Sequence, residues 1–262
     1  MTPSIKVEQA PSVQYLLRLA DTALIHGQRL SEWCGHAPVL EEDIALANIA
    51  LDLIGQARAL LTHAGQLEGQ GHDEDQLAFL REERDYRNAT IVELPNGPAR
   101  PGDFAFTVLR NAMMASWFRL MWERLRDSTD PELAAIAGKA VKEARYHQQH
   151  SSDWVVRLGD GTDESARRLR AALDTLWRYS AELFDSDAVD AAAAANGLGP
   201  RWDSLREPWL AEMRELFDEA KLATPADSVF RSTGKTGVHT EHMGYILADM
   251  QYLQRAYPGG AW

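Results

Sequence analysis

The chain has 262 residues, 45% of them hydrophobic, with a formal net charge of -12. That length suits one large domain with a substantial core, and the acidic balance argues against nucleic acid as the main partner. A single cysteine, Cys34, excludes an internal disulfide framework and fits a reducing cytosol; the polar, Pro-interrupted start lacks a signal-peptide core, and no run of about 18 apolar residues predicts a membrane span.

Hydrophobic periodicity reads as helix along nearly the whole chain, with no strictly alternating run that demands a sheet. Helices are expected at about 12–31, 40–68, 73–92, 102–127, 131–158, 163–185, 202–221 and 239–256, after a flexible segment 1–11. Gly35 and Pro38 end the first, Gly69 and Gly71 the second, and "LPNGPARPG" (94–102) connects two halves. Asp130-Pro131 is an N-cap followed by proline at the first helical position, "GDGTDES" (159–165) closes one helix and caps the next, and "DAAAAAN" (190–196) reads as a short helix. The four long helices, 12–31, 40–68, 102–127 and 131–158, form two hairpins around a long connection. That is the arrangement of a ferritin-like four-helix bundle, and 12–262 is expected to be one all-α domain of this kind with peripheral helices added.

Such bundles can hold a di-iron centre through one carboxylate from each of two helices and a Glu-x-x-His pair from each of the other two. Helix 40–68 is apolar almost all round, which predicts burial on most sides, and one polar line, Asn48, Asp52 and Gln56, runs along it. Helix 131–158 answers with Lys139, Glu143, Tyr146, His147 and His150, and helix 12–31 offers Asp21, Gln28 and Glu32. These residues are expected to meet inside. The ligand set is nevertheless incomplete. Asp52-x-x-Gly55 and Glu143-x-x-Tyr146 both lack the imidazole, and His147 comes one place late. From Phe104 through Met121 there is no acid at all; Asn111, Met113, Met114, Trp117 and Phe118 stand there instead. Amides and thioethers do not replace the carboxylates that neutralise and bridge two hard irons, and Lys139 brings a positive charge one turn from Glu143. Asn48, Asp52, Gln56, Lys139, Glu143 and His147 therefore read as a degenerate, metal-free interior. An oxidase with an atypical site built from Asp52, Glu143, His147 and an acid of helix 12–31 is the alternative.

"SEWCGHAP" (31–38), "DIALANIALDLIGQAR" (43–58), "VKEARYH" (141–147), "ELFD" (182–185) and "GVHTEHMGYILADMQYLQRAYPG" (237–259) together resemble the structural C-subunit family of bacterial phenylacetyl-CoA epoxidase, PaaC, over essentially the whole chain. The resemblance implies a ferritin-like subunit without metal or catalytic residues of its own. It would pair with the catalytic A subunit as a heterodimer, itself doubled. The A subunit's di-iron centre uses dioxygen to epoxidise the ring of phenylacetyl-CoA, with electrons from NADPH through a reductase carrying FAD and an iron–sulfur cluster. The setting is cytoplasmic, aerobic phenylacetate breakdown.

Two stretches are candidate contacts for the coenzyme A of a substrate held at the partner. "REERDYRN" (81–88) spaces Arg81, Arg84 and Arg87 along one helix side with Asp85 and Tyr86 between, and guanidinium forks suit phosphates while Tyr stacks on a purine. The same alternation of charge also describes an exposed, salt-bridged face. Asp185, Ser186 and Asp187 in "LFDSD" offer acceptors to adenine or pantetheine groups, or simply close a helix. A stand-alone acyl-CoA binding protein is a further reading of these sets. "STGKTGVHTEH" (232–242) lacks the first glycine of a phosphate loop, because Val229 stands at that position, but Arg231 and Lys235 before a helix suit an anion or a partner's carboxylate. His239-x-x-His242 with Glu241 is too small a ligand set for zinc. Met243, Tyr245, Met250, Tyr252, Tyr257 and Trp262 fit core or interface equally, and Trp33, Cys34 and His36 read as core. No nucleophile–base pair stands out, so no catalytic residue is assigned.

Overall fold

The structure, a computed structural model, describes residues 3–98 and 102–260. Part of the 94–102 connection and Trp262 therefore lie outside the described residues. The described residues form helices α1 (Pro11–Ser31), α2 (Leu40–Glu68), α3 (Glu74–Phe79), α4 (Phe104–Leu125), α5 (Pro131–Gly159), α6 (Asp163–Leu176), α7 (Ala188–Ala195), α8 (Arg206–Glu219) and α9 (Glu241–Ala256). The fold is all-α. Among the described residues the only sheet-like pairing is an isolated bridge between Thr233 and Val238.

α1 and α2 pack as one hairpin and α4 and α5 as the other. Their cores meet through Leu16, Ala20, Ile49, Leu53, Met113 and Trp117, all buried. The caps fall where local chemistry puts them. Asp130 accepts from the backbone N–H of Glu132 and Leu133 with Pro131 next, and Gly69 closes α2 at φ 72°, a left-handed conformation that a side chain would strain. Before α1, Ile5 N–H donates to Leu80 O and Glu8 N–H to the Glu68 carboxylate.

Three expected helices are shorter than their periodicity. The stretch 73–92 is helical only over Glu74–Phe79 and then crosses α1 as an extended strap with two 3₁₀ turns, Glu83–Asp85 and Thr90–Val92. α1 takes over the strap's backbone donors: Arg87 N–H donates to Asp21 Oδ2 at 2.7 Å and Ala89 N–H to Thr22 Oγ1 at 3.1 Å. A polar side chain on a neighbouring helix thus does the work of the missing helical ladder. The stretch 163–185 turns 3₁₀ from Trp177 to Phe184, and 202–221 opens with a 3₁₀ turn, Trp202–Leu205.

α2 also departs from its expected environment. It is the described helix long and apolar enough to cross a membrane by length and composition, yet only 44% of its most apolar 18-residue window is buried. Leu46, Ile49, Leu53 and Leu60 point inward, while Leu40, Ile44 and Leu51 stand more than half exposed. α1 is buried on nearly every side, because the strap and α7 cover the face that α2 and the bundle leave open.

Candidate functional site: the bundle interior and its borders

Of the polar residues the spacing selected, His147 and Gln56 are buried inside the bundle, where His26, Asn111 and Ser151 join them. His26 of α1 donates through Nε2 to Asn111 Oδ1 of α4 at 3.1 Å, and Asn111 Nδ2 donates to Ser151 Oγ of α5 at 2.5 Å. Ser151 in turn donates to the carbonyl of His147 at 2.6 Å, and His147 Nε2 lies 3.0 Å from Asp52 Oδ2 of α2. One chain of hydrogen bonds thereby crosses all four bundle helices. Burial, with the Arg110 guanidinium nearby, drives the His26 pKa down to about 3, and burial also lowers that of His147. Both imidazoles are neutral donors at pH 7.

The rest of the expected interior set stands at the seam between α2 and α5. Asn48 is exposed, the Asp52 side chain is 40% accessible, and Lys139 is 80% accessible. Gln56 Nε2 donates to Glu143 Oε2 at 2.9 Å, and Lys139 reaches the same carboxylate at 3.4 Å. Farther along, His150 faces Glu42 at 2.8 Å and His63 faces Asp130 at 2.7 Å. The seam is a ladder of cross-helix pairs, most of them histidine with a carboxylate. The α1 acids are no part of it. Asp21 is buried beneath the strap in an ion pair with Arg81, Gln28 is only partly buried, and Glu32 pairs with Arg29 and Asn96 at the surface. Helical rotation explains the exchange: Asp21 and His26 are five residues apart, on different sides of α1.

This donor set does not fit a di-iron centre. Asn111 occupies the inward position of α4, Glu143 is engaged by an amide and an ammonium, and of Asp52 and Glu143 it is Asp52 alone that meets an imidazole. Among the described residues no three His, Cys, Asp or Glu side chains converge as a metal would require.

The coenzyme A candidates lie over α1. Arg81, Arg84 and Arg87 do not share a helix face, since the strap replaces the helix. Tyr86 is fully buried under the Arg81 guanidinium, 4.3 Å from its ring centroid, and its hydroxyl is bonded to Ala78 O and Gln251, so its ring is closed to stacking by a ligand. Arg87 is committed to Gln14 Oε1 and to the Arg84 and Tyr86 carbonyls, and Asp85 to Lys6. Arg84 remains 69% accessible. The 185–187 turn closes the 3₁₀ segment at Asp185 and caps α7 at Asp187: Asp187 accepts from Val189 N–H and pairs with Arg18, and Ser186 accepts from Asp203 N–H. Asp185 is about half exposed. Gln14 and Arg18, one turn apart on α1, bring the two stretches close together.

The Gly-rich loop holds an anion, and that anion belongs to the chain. Glu182, buried, accepts from Lys235 N–H at 2.9 Å, Ser232 Oγ at 2.6 Å and Thr90 N–H at 2.9 Å. The Lys235 ammonium lies 4.2 Å over the Trp202 ring and its pKa is lowered by burial. His239 faces the buried Glu93 carboxylate at 3.3 Å, while His242 turns to a separate cavity beside Tyr179. Burial pushes Glu93 up; the facing carboxylate raises His239 against its own burial. Trp33 is core, donating to Thr107 Oγ1, but Cys34 and His36 are exposed. Met243 is core, whereas Tyr245 and Tyr252 are exposed.

Comparison with known proteins agrees with this architecture. The sequence model of the family described as "Phenylacetic acid catabolic protein" matches residues 2–262. The chain belongs to that family. Within the phenylacetic acid catabolic proteins, it is 50% identical over 248 residues to the C subunit of 1,2-phenylacetyl-CoA epoxidase from Escherichia coli (strain K12), covering 95% of this chain and 98% of that protein. Sequence reasoning missed His26 and Ser151; the available signal was Ser151 four residues after His147, one turn along the same face.

Proposed function

We propose that this chain is the non-catalytic structural and docking subunit of a cytoplasmic, multicomponent phenylacetyl-CoA epoxidase, pairing with and stabilising the di-iron catalytic subunit. The observation that carries the reading is the interior chain from His26 through Asn111 and Ser151 to His147, which fills the bundle centre with neutral hydrogen-bonding groups where two irons need carboxylates. Half-identity over nearly full length to a protein named as the C subunit of that enzyme supports the assignment to the complex. Chemistry then resides on the companion chain, with NADPH, FAD and an iron–sulfur cluster in the reductase. Arg84 and Asp185, both accessible, are the side chains of the two candidate stretches best placed to reach a coenzyme A tail held by that companion.

Co-expression with the catalytic partner, followed by co-purification and metal counting, tests the proposal. The expected result is a stable complex whose iron follows the partner, and greater soluble yield or turnover of the partner when this chain is present. Iron retained by the isolated chain and lost in Glu143→Ala would establish the self-sufficient oxidase instead.

A further inference from the structure

The outer face of α2 is built differently from the rest of the surface. Leu40, Ile44 and Leu51 are 70%, 53% and 65% exposed, and helical spacing sets them in one stripe. Tyr146 of α5, 53% exposed and packed edge-on to His147, extends the stripe across the seam. Gly55 lies on the same side of α2, and a Cβ added there would meet nothing within 4 Å, which leaves a notch for the ridge of another helix. An apolar stripe of this kind marks an interaction site rather than ordinary surface.

Its border supplies the second observation. In a chain of net charge -12, the end of the stripe near Gly55 is flanked by cations: Arg58, 74% accessible, Lys139, 80% accessible, and exposed Lys142. Arg58 and Lys139 each stand over a less accessible acid with which they pair, Glu74 and Glu143 at 21% and 17%, and Asp52, 40% accessible, is engaged by His147. We infer that the α2–α5 face is the surface that receives the partner, and that the partner is a helical chain presenting an apolar ridge bordered by carboxylates opposite Arg58, Lys139 and Lys142. This rests on the docking role proposed above and adds which face docks and what it recognises. The net negative charge of each copy opposes a pair of identical chains, and the polar ladder of Asp52, Gln56 and Glu143 beside the stripe favours a protein over a hydrocarbon surface.

The test measures binding of the full chain to the di-iron subunit of 1,2-phenylacetyl-CoA epoxidase by biolayer interferometry, with circular dichroism to check each fold. Replacing exposed stripe residues, Ile44→Glu and Leu51→Glu, is expected to weaken binding by about 100-fold or more, as burying an unpaired charge at an interface centre does. Lys139→Glu with Lys142→Glu is expected to slow association about tenfold and flatten its salt dependence, the behaviour of rim charges. Tyr252→Glu, on the exposed side of α9, leaves affinity unchanged. Wild-type chain that fails to bind overturns the docking role itself. Binding by the wild type that Leu51→Glu leaves intact overturns only the assignment of the face. So does a Leu51-dependent homodimer in sedimentation velocity, or Leu51-dependent flotation with phosphatidylcholine–phosphatidylglycerol vesicles.

Discussion

α1 and α2 form one hairpin, yet their surfaces follow opposite rules. α1 carries Arg18, Asp21, His26 and Arg29 and is buried almost all round; α2 is the more apolar helix and leaves Leu40, Ile44 and Leu51 in water. Burial is set by what covers a face, not by the composition of the helix that owns it. The strap of residues 81–93 covers α1 and supplies Arg81 for Asp21 and the Glu93 carbonyl for Arg29, while Asp187 and Asp190 at the start of α7 pair with Arg18. Among the described residues, none covers the outer stripe of α2.

The contrast can be broken most forcibly at Asp21. Asp21→Ala leaves the Arg81 guanidinium buried without its counter-ion and frees the Arg87 N–H, and a loss of about 3–5 kcal/mol is expected in urea unfolding. A smaller contrast lies within α2 itself. Leu53→Ala, at 2% exposure, is expected to cost about 2–5 kcal/mol through the cavity it opens. Acid sharpens the comparison from inside. Because the His26 pKa falls to about 3, the folded chain binds fewer protons than the unfolded one between that value and the ordinary imidazole range. Stability from this group is therefore complete above about pH 6.5 and falls by about 1.4 kcal/mol for each unit below it; His26→Gln flattens that slope in chemical unfolding measured between pH 6 and 4. The smallest effect belongs to Leu51→Ala, two residues from Leu53. The isolated chain should change by less than about 0.5 kcal/mol, because the side chain already stands in solvent.

The long elements were legible because their signals are local. The bounds of α2 agree with the spacing at both ends, and Asp130-Pro131 announces α5. The run without an acid from Phe104 through Met121 was legible too, and Glu123, nearer the end of α4, is held by Arg119 and Arg145. Three things were not. The strap alternates charges as a helix would, and partners on other elements, Asp21 and Thr22 of α1 and the distant Glu182 among them, hold it open. The polar line of α2 reads as interior because an apolar helix implies burial on most sides, whereas its outer stripe of Leu40, Ile44 and Leu51 stands exposed. His26 was invisible as a site because its partner, Asn111, lies 85 residues away.

Glu182 gives the chain a late-closing fastener. Its carboxylate joins Thr90, 92 residues earlier, to Lys235, 53 residues later. The strap over α1 therefore precedes in the chain the Gly-rich loop that gives Glu182 two of its donors, Ser232 Oγ and Lys235 N–H. A chain truncated before Ser232 would lack the donors that lock Glu182 in place. The Gly-rich loop thus fastens, from the far end of the sequence, a strap that Asp21 and Thr22 already hold on α1.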